Sequence, residues 1–91
     1  MKRYVIEREV PSFGANDNAG FCDAAKTSNA ALAKLAPRVQ WEHSYVIGNG
    51  TFCVYLAEDE QAIREHARLS GFPANRITEV VRMIDPTTAA T

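Results

Sequence analysis

The chain has only two cysteines, Cys22 and Cys53, far apart and outside any C-x-x-C. That spacing excludes a disulfide framework and a zinc knuckle, and it leaves two reduced, partly buried thiols as the expectation. An excess of one charge is missing as well. Ten Lys or Arg face eleven Asp or Glu, and the basic residues are scattered, so nucleic acid is not an expected partner. No stretch approaches the roughly 20 apolar residues needed to cross a bilayer. The opening "MKRYVIEREV" alternates polar and apolar residues and lacks the continuous apolar core of a signal peptide. A soluble, cytoplasmic protein with no membrane partner is the expectation. No Ser-His-Asp order, P-loop or G-x-G-x-x-G occurs. Gly48 and Gly50 belong to a turn between strands, where a phosphate cradle would need a helix start, so no nucleotide site is expected.

What remains fits one small domain with a thin core, since a chain of 91 residues buries only roughly 60–65% of its extended surface. "RYVIEREV", residues 3 to 10, sets Tyr4, Ile6 and Arg8 against Val5, Glu7 and Glu9, the period of two that marks a half-buried strand. After Pro11, "PSFGANDN" is a loop whose last residues offer side-chain oxygens to cap a helix. Phe21, Ala25, Ser28, Leu32 and Leu35 then recur at spacings of four and three, one stripe of a helix that Pro37 stops. Residues 38 to 47 and 51 to 57 read as strands, and Asn49-Gly50 between them is a strong hairpin signal. Asp59 or Glu58 caps a second helix, supported by the pair Glu60 to Arg64 and ended by Gly71 in a left-handed conformation. "RITEVVRMI", residues 76 to 84, is the expected last strand, and residues 85–91 form a tail. The order strand, helix, strand, strand, helix, strand predicts an α+β, ferredoxin-like βαββαβ sandwich over residues 1–84, a four-stranded antiparallel sheet with two helices on one face.

That fold leaves one sheet face uncovered, and the hairpin carries apolar residues on both parities. A second copy burying about 500 Å² of apolar surface would gain about 12 kcal/mol before association costs. A homodimer through the open sheet face, of the dimeric α+β barrel type, is therefore expected.

The hairpin register decides where the chemistry-bearing side chains go. A two- or four-residue turn gathers Trp41, His43, Tyr45, Ile47, Phe52, Val54 and Leu56 on one face, taken as the helix-covered core, with Cys53 and Tyr55 on the open face. A three-residue loop brings His43, Tyr45, Cys53 and Tyr55 together instead. Asn49-Gly50 favours the even turn, and apolar Phe52, Val54 and Leu56 are expected inside in either case. His43 is then either an internal, hydrogen-bonded imidazole or a metal ligand or acid–base group at a cavity edge. His66 falls on the inward stripe of the second helix with Ala62, Ile63, Ala67 and Ser70. It has no His or carboxylate at i±4, so any ligand partner must come from elsewhere. Glu42 and Glu65 precede the two histidines, but adjacent residues point apart in a strand or a helix and neither orients its neighbour.

"QWEHSYV", "FCVYLAEDE", "IREHARLSGFPANRITEV" and "IDPTTA" resemble the bacterial family known as domain of unknown function 4242. The resemblance runs from "RYVIERE" to the end, with "EHARLSGFPANR" its most specific part. It implies the ferredoxin-like fold and a dimer, and some members are described as nickel-responsive and nickel-binding. It implies His43 and His66 as candidate ligands for nickel or another divalent transition metal, since imidazole and carboxylate suit these ions. Two functions compete with a plain interaction module that docks partners through "EDEQ". One is a homodimeric metal-binding protein. The other is a cofactor-free enzyme or small-molecule binder, with a cavity on the open sheet face lined by Trp41, Tyr45, Cys53, Tyr55 or His43.

Overall fold

The computed structural model describes residues 1–90. Four strands form one antiparallel sheet: β1 (Lys2–Glu9), β2 (Val39–Ile47), β3 (Gly50–Ala57) and β4 (Arg76–Glu79), in the spatial order β2-β3-β1-β4. Helices α1 (Asn18–Leu35) and α2 (Glu60–Ser70) cross over one face of that sheet. This is the ferredoxin-like α+β arrangement read from the sequence.

The element ends follow local chemistry. Asp17 caps α1 by accepting from the Gly20 amide at 2.9 Å, and Asp59 caps α2 by accepting from the Ala62 amide at 2.8 Å. Gly71 ends α2 with φ 80°, its amide donating to the Ala67 carbonyl, and Glu60 and Arg64 pair at 3.0 Å along the helix surface. The last strand is shorter than expected. β4 stops at Glu79, and Val81, Met83 and Ile84 stand in the open, Val81 at 96% exposure.

The two-residue turn at Gly48-Asn49 sets the even register, pairing Ile47 with Gly50, Tyr45 with Phe52 and His43 with Val54. The expected assignment of faces is nevertheless reversed. Thr51, Cys53, Tyr55 and Ala57 are buried against the helices, while Tyr45, Ile47 and Phe52 are exposed on the other side. The cause lies in β1: its buried parity is Tyr4, Ile6 and Arg8, and the ladder sets these opposite Tyr55, Cys53 and Thr51. The apolar set Phe52, Val54 and Leu56 therefore lies on the open face.

A second departure is a β-bulge between Trp41 and His43. Glu42 is the extra residue, so Trp41 pairs with Tyr55 on the covered face although His43, two positions on, lies on the open one. Trp41 and His43 thus end on opposite sides of the sheet. Glu42 instead pairs with Arg3 at 2.9 Å on the open face.

The core is Tyr4, Ile6, Leu35, Val39, Tyr55, Ala57, Ala62 and Ile63, with Leu32, Leu69 and Ile77 packed against it. The loop before α1 folds over the hairpin tip: Gly14 donates to the Gly48 carbonyl at 3.0 Å, and a Cβ at Gly14 would lie 2.6 Å from the Ile47 carbonyl oxygen. Only glycine allows that approach. At Gly50, with φ 153°, a Cβ would run into the Arg8 carbonyl oxygen.

Candidate functional site

Between α1 and the covered face of the sheet lies a cavity of about 280 Å³. The sheet contributes Arg8, Trp41, Cys53 and Tyr55 to its wall. From α1 come Phe21, Ala24, Ala25 and Ser28, and the small side chains of the last three leave the space between helix and sheet unfilled. Phe13 and Phe72 reach in from the loops, Phe13 meeting Phe21 edge-on at 5.5 Å between ring centroids. Val10, Ser44, Thr51 and half-exposed Val46 complete the lining.

Most polar atoms of the wall satisfy one another. The Trp41 indole donates to Ser44 Oγ at 2.9 Å, and Thr51 Oγ1 lies 3.2 Å from Cys53 Sγ. Behind the wall, Ser28 Oγ meets His66 Nε2 at 3.1 Å, and the His66 ring lies 5.2 Å from that of Tyr55. Burial pushes the His66 imidazole down to about 4, helped by the nearby Arg8 charge and opposed by the bond to Ser28, so this histidine is neutral at neutral pH. Burial raises the Tyr55 phenol, against the opposing influence of Arg8.

Arg8 is the unusual member. It is only 5% exposed, and its Nη1 donates to the carbonyls of Pro73 at 2.7 Å and Phe72 at 3.4 Å. Its Cζ stands 5.9 Å from the Tyr55 ring centroid. Among the described residues no Asp or Glu lines the cavity. Arginine is rarely buried without a partner, and in sequence the only sign was its place on the parity of Tyr4 and Ile6. Phe13, Phe21 and Ser28 were visible as loop and helix-stripe residues, but a stripe cannot say that its middle stands over a void.

Of the side chains expected around a cavity, Trp41, Cys53 and Tyr55 line this one. Tyr45 does not: it is 62% exposed on the opposite face, edge-on to His43 at 5.1 Å. The cavity itself lies beneath the helix, where the sequence pointed to the open sheet face. Cys22 is exposed and Cys53 buried, both as free thiols.

The two histidines are not brought together. His43 projects from the open face and His66 is buried behind the other, with the sheet between them. Among the described residues no three His, Cys, Asp or Glu side chains converge as a metal group. The carboxylates preceding each histidine are engaged elsewhere, Glu42 with Arg3 and Glu65 with Arg68 at 2.8 Å.

Residues 4–80 match the family described as nickel responsive protein SCO4226-like. The chain belongs to this family. Among solved structures, the crystal structure of SCO4226 from Streptomyces coelicolor A3(2) is similar, with TM-score 0.75 and 13% sequence identity over 90% of this chain and 99% of that one. At that identity the likeness is one of fold. No curated protein matches the chain. Nickel responsiveness is the family's description, yet the residues of a single copy do not fit a nickel ion: one imidazole is exposed with only Tyr45 as its ring neighbour, and the other is enclosed. Among the described residues no helix is long and apolar enough to cross a membrane.

Proposed function

We propose that this member of the family is a binding protein that encloses a small, largely apolar molecule between α1 and the sheet, and that it works as a homodimer joined through the open sheet face. The observation that carries the reading is the cavity: about 280 Å³, walled by aromatic rings and small side chains, with few polar groups. That is close to the lower end of the size range of small-molecule sites and shares their composition. The dimer is supported by Tyr45, Ile47 and Phe52, exposed together on a face that no other element covers among the described residues. Mass spectrometry of extracts from freshly purified, tag-free protein tests the ligand reading against Ala25→Phe, whose ring fills the cavity. A small molecule stoichiometric with the wild type and absent from the folded variant supports it. Identical extracts, with no Trp41 fluorescence response to any small apolar compound, contradict it.

Nickel binding is the second reading, favoured by the family's description. Since one copy lacks a converging set of ligands, such a site needs two copies, and His43 is the imidazole on the face they would share. Calorimetric titration with nickel, zinc and copper separates the outcomes. Stoichiometric nickel binding lost in His43→Ala and kept in His66→Ala supports this reading. No binding tighter than the micromolar range removes it.

A further inference from the structure

The wall of the cavity carries few polar groups, and a single one of them, Arg8, is charged. Arg8 Nη2 is buried and has no hydrogen-bond partner among the described residues, while Nη1 is held by two carbonyls in the strand-entering loop. Arg8 also makes no ion pair there, although Arg3, Arg38, Arg64, Arg68 and Arg76 each have a carboxylate within 4.0 Å. Arginine carries its charge at every physiological pH, and a buried charge without a counter-charge is costly. The Pro73 and Phe72 carbonyls and the Tyr55 ring fix the guanidinium in place, so it is oriented before any ligand arrives.

We infer that the cavity takes a small monocarboxylate with an apolar body, its carboxylate drawn to the Arg8 guanidinium, which lines the cavity without a counter-charge, and its hydrocarbon part against Phe13, Phe21 and Trp41. The inference rests on the reading of this cavity as a ligand site and names the ligand class. One guanidinium without a counter-charge among uncharged neighbours matches one carboxylate, and among the described residues no Asp or Glu in the lining repels it. A dianion would bring a second charge into a wall with nothing to meet it. A polar sugar-like body would leave its hydroxyls unpaired against aromatic rings. The volume accommodates a single ring or a short branched chain. A ligand of this kind neutralises the buried charge and fills the void in the same event.

The test uses the tag-free wild-type chain and matched probes: benzoate, phenylacetate and isovalerate against benzamide, phenylacetamide and isovaleramide. Trp41 is the only tryptophan and lines the cavity, so its fluorescence reports occupancy, with calorimetry as the second readout. The acids are expected to bind at least about tenfold more tightly than their amides, the weight of one charge-assisted hydrogen bond. Arg8→Met, which keeps the side-chain length and removes the charge, is expected to erase that preference while retaining the native circular dichroism spectrum. If amides bind as tightly as acids, or if Arg8→Met keeps the acid preference, the carboxylate assignment is overturned and the ligand cavity stands. If no acid and no amide binds, the assignment and the cavity reading fall together. The acid-against-amide comparison needs no variant, so it decides the question even if Arg8→Met does not fold.

Discussion

At the scale of single residues, the chain keeps two polar side chains where apolar ones would pack more simply. His66 is enclosed by α1 and Tyr55, with Nε2 on Ser28 and Nδ1 buried without a partner among the described residues. Its folded value of about 4 lies below the ordinary 6.5. Between those two pH values the unfolded chain takes up a proton that the folded chain refuses. Its contribution to stability is therefore complete above about pH 6.5 and is lost as the pH falls to about 4, a difference of about 3 kcal/mol. Urea unfolding at pH 7 and pH 4 is expected to show the stability gap between wild type and His66→Gln shifting by about that amount. A gap that does not change with pH contradicts the buried, neutral assignment. Arg8 was legible only as a residue on a buried parity. Its only signal in sequence is the alternation, because nothing in "VIEREV" says that the side chain lines a void with no carboxylate in its wall among the described residues.

At the scale of elements, caps, stops and turn type were legible because they depend on neighbours in sequence. Asp17, Asp59 and Gly71 each behave as local chemistry dictates, and the hairpin has the expected two-residue length although its turn residues are Gly48-Asn49, one position before Asn49-Gly50. The face of each hairpin strand was not legible in the same way. Hydrophobicity favoured Phe52, Val54 and Leu56 for the core, but the pairing with β1 put Cys53 and Tyr55 there. Long-range pairing outweighed local apolarity. The bulge at Glu42 compounds this, since one extra residue moves everything before it to the other face. Deleting Glu42 removes the extra residue and leaves Trp41 directly before His43, so ordinary alternation keeps Trp41 opposite Tyr55 on the covered face and its emission maximum is expected to stay where it is. A red-shifted emission maximum in the folded deletion variant contradicts the role given to the bulge. The last strand was overestimated for a related reason: "VVRMI" has strand-forming residues, yet β1 pairs with β4 only from Tyr4 to Glu7.

At the scale of the whole molecule, the two sheet faces divide the work. The helix side holds the cavity, and the open side exposes Tyr45, Ile47 and Phe52 with His43 among them, the surface that the proposed dimer would cover. Phe52→Lys places a charge in the centre of that side, and sedimentation is expected to convert a wild-type dimer into a folded monomer while leaving ligand binding intact. A wild type that is monomeric at micromolar concentration removes the dimer from the account. The most direct test of the division is amide and methyl chemical-shift mapping while phenylacetate is titrated into the labelled wild-type chain. The account predicts shifts confined to Arg8, Ala25, Ser28, Thr51, Cys53 and the Trp41 indole. Shifts centred on His43, Phe52 and Val54 would contradict it and place the ligand on the open face.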